Sequence, residues 1–339
     1  MAVQIPLIRG VIVQLVAAFL ERIGAPVEPL FERVKLSPRT RECPESLVTF
    51  SAVARLLEEA ARTQGIEDLG LRIGAASQPQ QLGVFGLLIG QSLTVNDALA
   101  TAHRSVSSFN SGARTWVSRE GPHAQLHNRV AGIDDHCRQA VALSLMVHLN
   151  LIRSAAGRAW RPIEVALPAR DVPGCRDLPF LADTPIVFES PEMHITFAAD
   201  VLSLPLRHTP RDSPAVASWE QSRPATDVGG ALQQLVETLL ADGYPDIHLV
   251  AEAVQMSPRT LQRRLHEEGL TFARVVTRAR FGAALRMLAD PDRKVIDVAL
   301  DLGYSDPAHF TRAFSRWTGV TPRDFRRLGS ADRQQLVAP

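Results

Sequence analysis

The spacing of apolar residues changes along this chain, and the change predicts two domains of different structure. In the first 200 residues, helical spacing occurs over 51–63, 96–109 and 137–156, and strand-like runs occur over 114–118, 124–130, 163–167, 185–188 and 194–197. The sequence Glu120-Gly121-Pro122 separates two of those runs and predicts a hairpin. Helices precede most strands without strict alternation, which predicts an α+β domain.

Beyond residue 230 the same pattern predicts almost only helices, over 230–241, 247–254, 258–268, 272–288, 295–302 and 306–318, with a short last helix from Pro322. Four prolines between 205 and 224 prevent a continuous helix or sheet and predict a linker. We therefore expect an α+β domain at 1–205, a linker at 206–229, an all-α domain at 230–328 and a tail at 329–339.

Composition and cysteine usage are typical of a folded protein from a reducing compartment. Hydrophobic residues make up 45% of the 339 residues and charged residues 22%. Cys43, Cys137 and Cys175 form no C-x-x-C pair, so we expect neither a disulfide framework nor a structural zinc site. The apolar stretch over 11–20 is too short to cross a bilayer, and we expect an amphipathic helix there, with a signal peptide as the alternative.

The charge is near zero overall but uneven along the chain. Lys+Arg total 37 and Asp+Glu total 36, which excludes a uniformly basic coat for nucleic acid. Between 255 and 288, however, seven arginines stand against Glu267 and Glu268. This basic strip indicates a local anionic partner, and a solvated helix face is the plainer alternative.

The predicted C-terminal helices contain a weak internal repeat. Ala251 matches Ala299 and Ser257 matches Ser305, both at an interval of 48 residues. One residue is then inserted, and an interval of 49 aligns Leu261, Arg263 and Leu265 with Phe310, Arg312 and Phe314.

Each copy of the repeat predicts a helix-turn-helix. Gly303 suits a left-handed turn residue, whereas Gln255 at the equivalent position departs from that preference. Ser257 and Ser305 are predicted to cap the second helix of each copy. With the aligned leucines and phenylalanines in the core, the exposed face of each second helix carries Arg259, Thr260, Gln262 and Arg263 in the first copy and Ala308, His309, Thr311 and Arg312 in the second.

The repeat resembles the AraC/XylS family of bacterial transcription regulators over residues 230–327. The most specific part begins at Arg280-Phe281, continues through Leu302-Gly303-Tyr304-Ser305-Asp306-Pro307 and Phe310-x-Arg312-Ala313-Phe314, and ends at Gly319-Val320-Thr321-Pro322-x-x-Phe325. The resemblance implies two recognition helices in successive major grooves, separated by a linker helix over 272–288.

Roles for the exposed residues follow from that resemblance. It implies base contacts from Arg259, Gln262 and Arg263 in the first helix and from His309 and Arg312 in the second, since Arg suits guanine and Gln suits adenine. Ala308 would contact a thymine methyl, and Thr260 and Thr311 would contact phosphates. Because family members often carry longer polar residues at 308 and 309, the second motif is expected to contribute less base readout.

The N-terminal part resembles the ligand-binding domain of the subgroup that includes ornithine-utilisation regulators, through the segment 81–99, which contains Gln81-Leu82-Gly83-Val84-Phe85-Gly86. This implies an effector-binding or dimerisation domain. Glycines 83, 86 and 90 lack the spacing of a nucleotide loop, and we expect close packing and turns there. His123 and His127 would share a strand face, although a metal is not expected. Phe109, Arg114 and Trp116 are either pocket or core residues.

These features together predict a cytoplasmic, sequence-specific transcription activator that an effector or dimerisation controls. The expected partners are double-stranded promoter DNA, RNA polymerase, a small molecule and a second copy of the chain, with no membrane, cofactor, metal or catalytic residues. Two alternatives stay open: an enzyme fused to a DNA-binding domain, and a DNA-architectural protein. The lack of a nucleophile–base set opposes the first, and the near-zero charge opposes the second.

Overall fold

The computed structural model of the chain describes residues 5–133, 137–206, 216, 219, 222–243 and 245–328. Two compact units meet in the sequence between Thr226 and Asp227. The predicted start at 230 lies inside the first helix of the second unit, because Asp227 caps that helix by accepting a hydrogen bond from the Gly230 amide. The predicted tail and much of the predicted linker lie outside the described residues.

The first unit combines helices with two β-sheets, and the α+β prediction is confirmed. Its described helices are α1 (Val11–Arg22), α2 (Glu28–Val34), α3 (Phe50–Gln64), α4 (Leu69–Ala76), α5 (Gly83–Gly90), α6 (Val95–Phe109) and α7 (Arg138–Ala156). Its described strands are β1 (Leu7–Arg9), β2 (Leu47–Thr49), β3 (Ala113–Glu120), β4 (His123–Val130), β5 (Glu164–Ala166), β6 (Ile186–Val187) and β7 (Met193–Ala198).

The larger sheet has the strand order β3-β4-β7-β5-β6, and β1 pairs with β2 separately. All described pairings are antiparallel except that of β5 with β6. The predicted hairpin is present, with Ala113 opposite Val130 and Glu120 opposite His123. Since side chains alternate across a strand, the register places Thr115 and Asn128 on the buried face and Trp116 and His127 on the other.

Helices pack on the buried face of this sheet, and α4 lies unusually close to α7. A side chain at Gly70 would place its Cβ 2.1 Å from the carbonyl oxygen of Gln139. The Gln139 side chain uses that proximity, because it accepts a hydrogen bond from the Gly70 amide and donates one to the carbonyl of Glu67, both at 2.7 Å. The close contact therefore requires glycine at position 70.

Two segments of the first unit, α1 and α5, were singled out by their apolar or glycine-rich sequences. The expected amphipathic helix over 11–20 is α1, and its apolar face is buried. The expectation of close packing and turns at glycines 83, 86 and 90 holds in part. All three lie in the helix α5 rather than in turns, but a side chain at Gly86 would place its Cβ 1.9 Å from the carbonyl oxygen of Pro79. Within the described residues, none of the helices has both the length and the apolar composition that a bilayer crossing requires.

The regular elements of the second unit are all helices within its described residues, as predicted. Its helices are α8 (Val228–Leu239), α9 (Ile247–Ala253), α10 (Pro258–Glu267), α11 (Phe272–Ala289), α12 (Val295–Asp301), α13 (Pro307–Thr318) and α14 (Pro322–Arg327). Helices α9 and α10 form one helix-turn-helix and α12 and α13 form the other, with α11 between them. The start of α8 is held by Glu268, whose carboxylate accepts hydrogen bonds from the amides of Val228 and Gly229.

Candidate DNA interface and ligand cavity

The first candidate recognition helix is α10, and its two faces differ sharply. Leu261 and Leu265 are fully buried. The Ser257 hydroxyl caps the helix by accepting a hydrogen bond from the Thr260 amide at 3.1 Å, as predicted. Three of the four predicted contact residues, Arg259, Gln262 and Arg263, are exposed, and Thr260 is half-buried.

The second candidate recognition helix, α13, has the same arrangement. Phe310 and Phe314 are fully buried, whereas the predicted contact residues Ala308, His309 and Arg312 are exposed. Thr311 is half-buried, and its hydroxyl donates a hydrogen bond to the carbonyl oxygen of Pro307 at 3.0 Å.

The cap of α13 corrects one prediction. Asp306, rather than Ser305, is the N-cap residue, and its carboxylate accepts a hydrogen bond from the Ala308 amide at 2.8 Å. The inserted residue in the second copy of the repeat explains the difference, because it moves the capping position one residue along the chain. A carboxylate at a helix N-terminus satisfies the same orphan amides as a serine hydroxyl.

The two turns have the same backbone conformation although their sequences differ. Gly303 has a φ of 72°, and Gln255 at the equivalent position has a φ of 55°. Left-handed backbone is unusual for a residue with a side chain. The turn geometry of the motif therefore overrides the preference of Gln255, and both turns deliver their second helix in the same way.

One arginine of the basic strip has a structural role that the sequence pattern did not reveal. Arg280, on α11, donates hydrogen bonds to the carbonyl oxygens of Leu302 and Gly303, both at 3.1 Å. Its guanidinium also lies 4.4 Å from the ring centroid of Tyr304. Arg280 thus attaches the linker helix to the turn of the second motif.

Among the other arginines of the strip, Arg264 is half-buried and the rest are exposed. Arg286 forms an ion pair with Glu237 on α8. Arg274 and Arg278, on α11, are exposed. Arg263 lies 3.9 Å from Glu267, a pair that is exposed on both sides and holds the arginine only weakly. The exposed arginines are therefore the ones available to an anionic partner.

A cavity of about 130 Å³ lies in the first unit, between α3, α5, α6, α7 and the buried face of the large sheet. Phe109, which the sequence predicts to be either a pocket or a core residue, lines this cavity. Its ring stacks on Phe85 with 4.7 Å between the ring centroids. Arg114 and Trp116 lie on the opposite face of β3 and do not line it. Helical and strand periodicity, applied to α6 and β3, indicates which of the three residues faces inward.

Five polar residues line the cavity: Asn110, Thr115, Asn128, Ser144 and His148. The Asn128 amide donates a hydrogen bond to the Thr115 hydroxyl at 2.9 Å. His148 Nδ1 lies 2.7 Å from the carbonyl oxygen of Ser144. Burial lowers the pKa of His148, so its ring is neutral near pH 7.

A second buried cluster surrounds Arg9, which is 1% exposed. Its guanidinium donates to four backbone carbonyls, those of Glu45, Ser108, Trp219 and Ser222, at 2.7–3.2 Å. Arg9 therefore connects strand β1 to the end of α6 and to the backbone at Glu45, Trp219 and Ser222. A single arginine inside an apolar stretch was the only signal of this role in the sequence.

The outer face of the large sheet carries the histidines considered for metal binding. His127 stacks on Trp116 with 4.9 Å between centroids, and its Nδ1 lies 3.0 Å from the Glu192 carboxylate. In the part of the chain that the structure describes, no group of three or more His, Cys, Asp or Glu side chains has an arrangement that could hold a metal ion.

Both units match models of known protein families. A family model described as the arabinose-binding domain of AraC transcription regulator, N-terminal, matches residues 24–206, and a helix-turn-helix domain model matches residues 250–328. The HTH-type transcriptional regulator VqsM of Pseudomonas aeruginosa is 29% identical over 76% of this chain and 83% of its own.

Two further relatives match over nearly the whole length. The HTH-type transcriptional regulator VirS of Mycobacterium tuberculosis is 24% identical over 91% of this chain and 93% of its own. The ornithine utilization regulator of Pseudomonas aeruginosa is 24% identical over 89% of this chain and 91% of its own. A crystal structure of the transcriptional regulator CdpR from Pseudomonas aeruginosa aligns with a TM-score of 0.40 at 22% identity, covering 89% of this chain and 97% of that one.

Proposed function

The chain belongs to the AraC family of transcription regulators, and on that premise we propose that it activates promoters in the bacterial cytoplasm by reading a specific DNA site with α10 and α13. It is a regulator with a DNA-binding domain and a ligand-binding domain, not an enzyme. Beyond the family membership, we propose which residues contact bases, that the chain activates transcription, and that RNA polymerase is a partner. We also propose that an effector or the pairing of two chains controls this activity.

The observation that carries the proposal is the matched exposure of the two second helices. Each is anchored by two fully buried side chains and presents its opposite face to solvent. On those faces we propose that Arg259, Gln262 and Arg263 contact bases in one major groove, and that His309 and Arg312 contact bases in the next. Ala308 would contact a thymine methyl group, and Thr260 and Thr311 would contact phosphates.

The small net charge of the second unit supports binding to specific DNA sites rather than strong binding to DNA of any sequence. Residues 228–330 carry 14 Lys+Arg and 12 Asp+Glu, a net charge of +2. Non-specific binding depends on neutralising many phosphates, and so small a net charge makes that contribution modest. Specific contacts in the grooves must therefore supply much of the affinity.

Control by the first unit requires an effector with different affinities for two states of the protein. A ligand that bound both states equally would shift no population, however tightly it bound. The cavity beside α7 provides a place for such a ligand. We propose that ligand binding there, or pairing of two copies, changes how often the DNA-bound state is populated.

Alanine substitution of the two repeated arginines tests the reading residues. Arg263→Ala and Arg312→Ala should each weaken binding to the cognate site by about 1–3 kcal/mol and relax the preference for one base pair. The measurement is DNA affinity of the full-length chain on the cognate site and on single-base variants of it. Arg158→Ala removes an exposed arginine from the first unit and serves as the charge-matched control, with unchanged affinity.

Two results would count against this assignment. An equal loss on every DNA sequence would show that the two arginines contact phosphates only. An equal loss in the Arg158 variant would show that the total charge of the chain, rather than the position of the arginines, determines the affinity.

A further inference from the structure

The lining of the cavity in the first unit restricts the chemistry of its ligand. Twenty of its 25 lining residues are apolar and five are polar. None of the described residues that line the cavity is Asp, Glu, Lys or Arg. A carboxylate or ammonium group placed there would lose its water without gaining an ion-pair partner. Burying an unpaired charge costs several kcal/mol, so the lining favours a neutral ligand.

The histidine in the lining has a defined hydrogen-bonding state. A carbonyl oxygen only accepts, so the contact with the Ser144 carbonyl requires that His148 Nδ1 carry the hydrogen. In the neutral ring Nε2 then bears a lone pair and acts as an acceptor. A ligand hydroxyl is the group that would donate a hydrogen bond to it.

The volume and the aromatic wall of the cavity restrict the size and shape of its ligand further. A cavity of about 150 Å³ lined by apolar side chains holds one benzene molecule, and this cavity has about 130 Å³. The stacked pair Phe85 and Phe109 forms part of the wall, and aromatic walls favour a ring in offset or edge-on contact. The space therefore suits a single ring with a short substituent.

We infer that this cavity binds a small, uncharged, ring-containing alcohol or phenol, with its ring among the apolar side chains and its hydroxyl donating to His148. The inference rests on the proposed effector-binding role of the first unit and adds the class of molecule. It excludes amino acids such as ornithine, whose two or more charges would find no partner in the lining.

A matched set of probes tests this inference by calorimetry on the full-length chain at pH 7.5. Benzyl alcohol should bind, toluene should bind about tenfold more weakly because it lacks the hydroxyl, and benzoate and L-ornithine should show no binding at the same concentrations. Tighter binding of benzoate or ornithine than of benzyl alcohol would overturn the inference, as would the absence of binding by every probe.

Two variants locate the site. Ala102→Leu places extra methyl groups in the cavity and should abolish benzyl alcohol binding, whereas Ser107→Leu adds the same side chain on the exposed face of α6 and should leave it unchanged. In His148→Leu the benzyl alcohol hydroxyl would be buried without an acceptor, so benzyl alcohol should bind no more tightly than toluene. Undiminished discrimination in His148→Leu would overturn the role of the histidine even if Ala102→Leu failed to fold.

DNA footprinting of the same preparation keeps the two proposals separate. If the chain protects a discrete DNA site but binds no probe, the ligand class is wrong and the proposed regulator function stands. If it binds benzyl alcohol in the cavity but protects no discrete site, the proposed reading of DNA fails and the ligand class stands.

Discussion

Replacing Arg280 with lysine tests whether this residue holds the second helix-turn-helix together or contributes positive charge for DNA. Lysine keeps the charge but loses the planar fork of donors. In the native structure that fork spans the carbonyls of Leu302 and Gly303, both at 3.1 Å, and the guanidinium covers the Tyr304 ring. A phosphate contact would tolerate the change much better than this double attachment would.

The expected loss follows from these contacts. Lysine at this position reaches at most one of the two carbonyls, so one charge-assisted hydrogen bond is removed, worth about 1.5–3 kcal/mol. The stacking on Tyr304 also weakens, by about 0.5–1 kcal/mol at a partly exposed site. Relaxation recovers some of the total, and we expect a net loss of about 2 kcal/mol, which corresponds to a roughly thirtyfold easier local opening.

Hydrogen exchange of the full-length chain measures that opening directly. The amides of Gly303 and Tyr304 donate to the carbonyls of Leu300 and Ala299, so their exchange reports on the turn. Arg280→Lys should speed exchange of the peptide that covers 299–314 by about thirtyfold. Arg278→Lys, two residues away and exposed, is the matched control and should change nothing. Equal exchange in the two variants would refute the attachment.

Backbone strain, acid sensitivity and thiol burial supply the other tests. Gln255→Gly should stabilise the second unit against urea by roughly 0.5–1 kcal/mol, and Gly303→Gln should destabilise it, because both positions have left-handed backbone; changes of the same sign would contradict this. Hydrogen bonds from two arginines lower the pKa of Glu59 to about 2 from 4.5. The contribution of Glu59 to the free energy of unfolding is therefore complete above pH 4.5 and is lost as the pH falls toward 2. The difference in unfolding free energy between the native chain and Glu59→Gln should shrink over that window, and a constant difference would contradict this. Burial raises the pKa of Cys175 to about 11, so iodoacetamide at pH 8 should label the exposed Cys43 and spare Cys175, and equal labelling would contradict the structure.

Periodicity predicted most helices and strands of this chain because both units bury one regular face. The strands around the Gly121 turn and the helices α10 and α13 lie within a few residues of their predicted bounds. Strands β1 and β2 escaped prediction, because each has only three residues and all of them are buried. So short a run has no alternation, and its pairing across about 40 residues is a tertiary effect.

The candidate site was predictable where exposure follows from helix geometry and unpredictable where one residue acts across the fold. The exposed positions of α10 and α13 follow from their buried partners, four residues apart. Arg280 belongs both to the basic strip and to the segment that resembles the family, but nothing local indicates that it bonds to carbonyls more than 20 residues away. His148 likewise becomes informative only when the fold places it in the lining of the cavity.

Guanine methylation protection tests most directly whether both motifs read DNA at once. The full-length chain on its cognate promoter should protect guanine N7 atoms in two major grooves on one face of the duplex, with centres about 10–10.5 base pairs apart. Arg263→Ala should remove protection in one groove, and Arg312→Ala should remove it in the other. Protection confined to a single groove, or spread evenly along the fragment, would contradict the account.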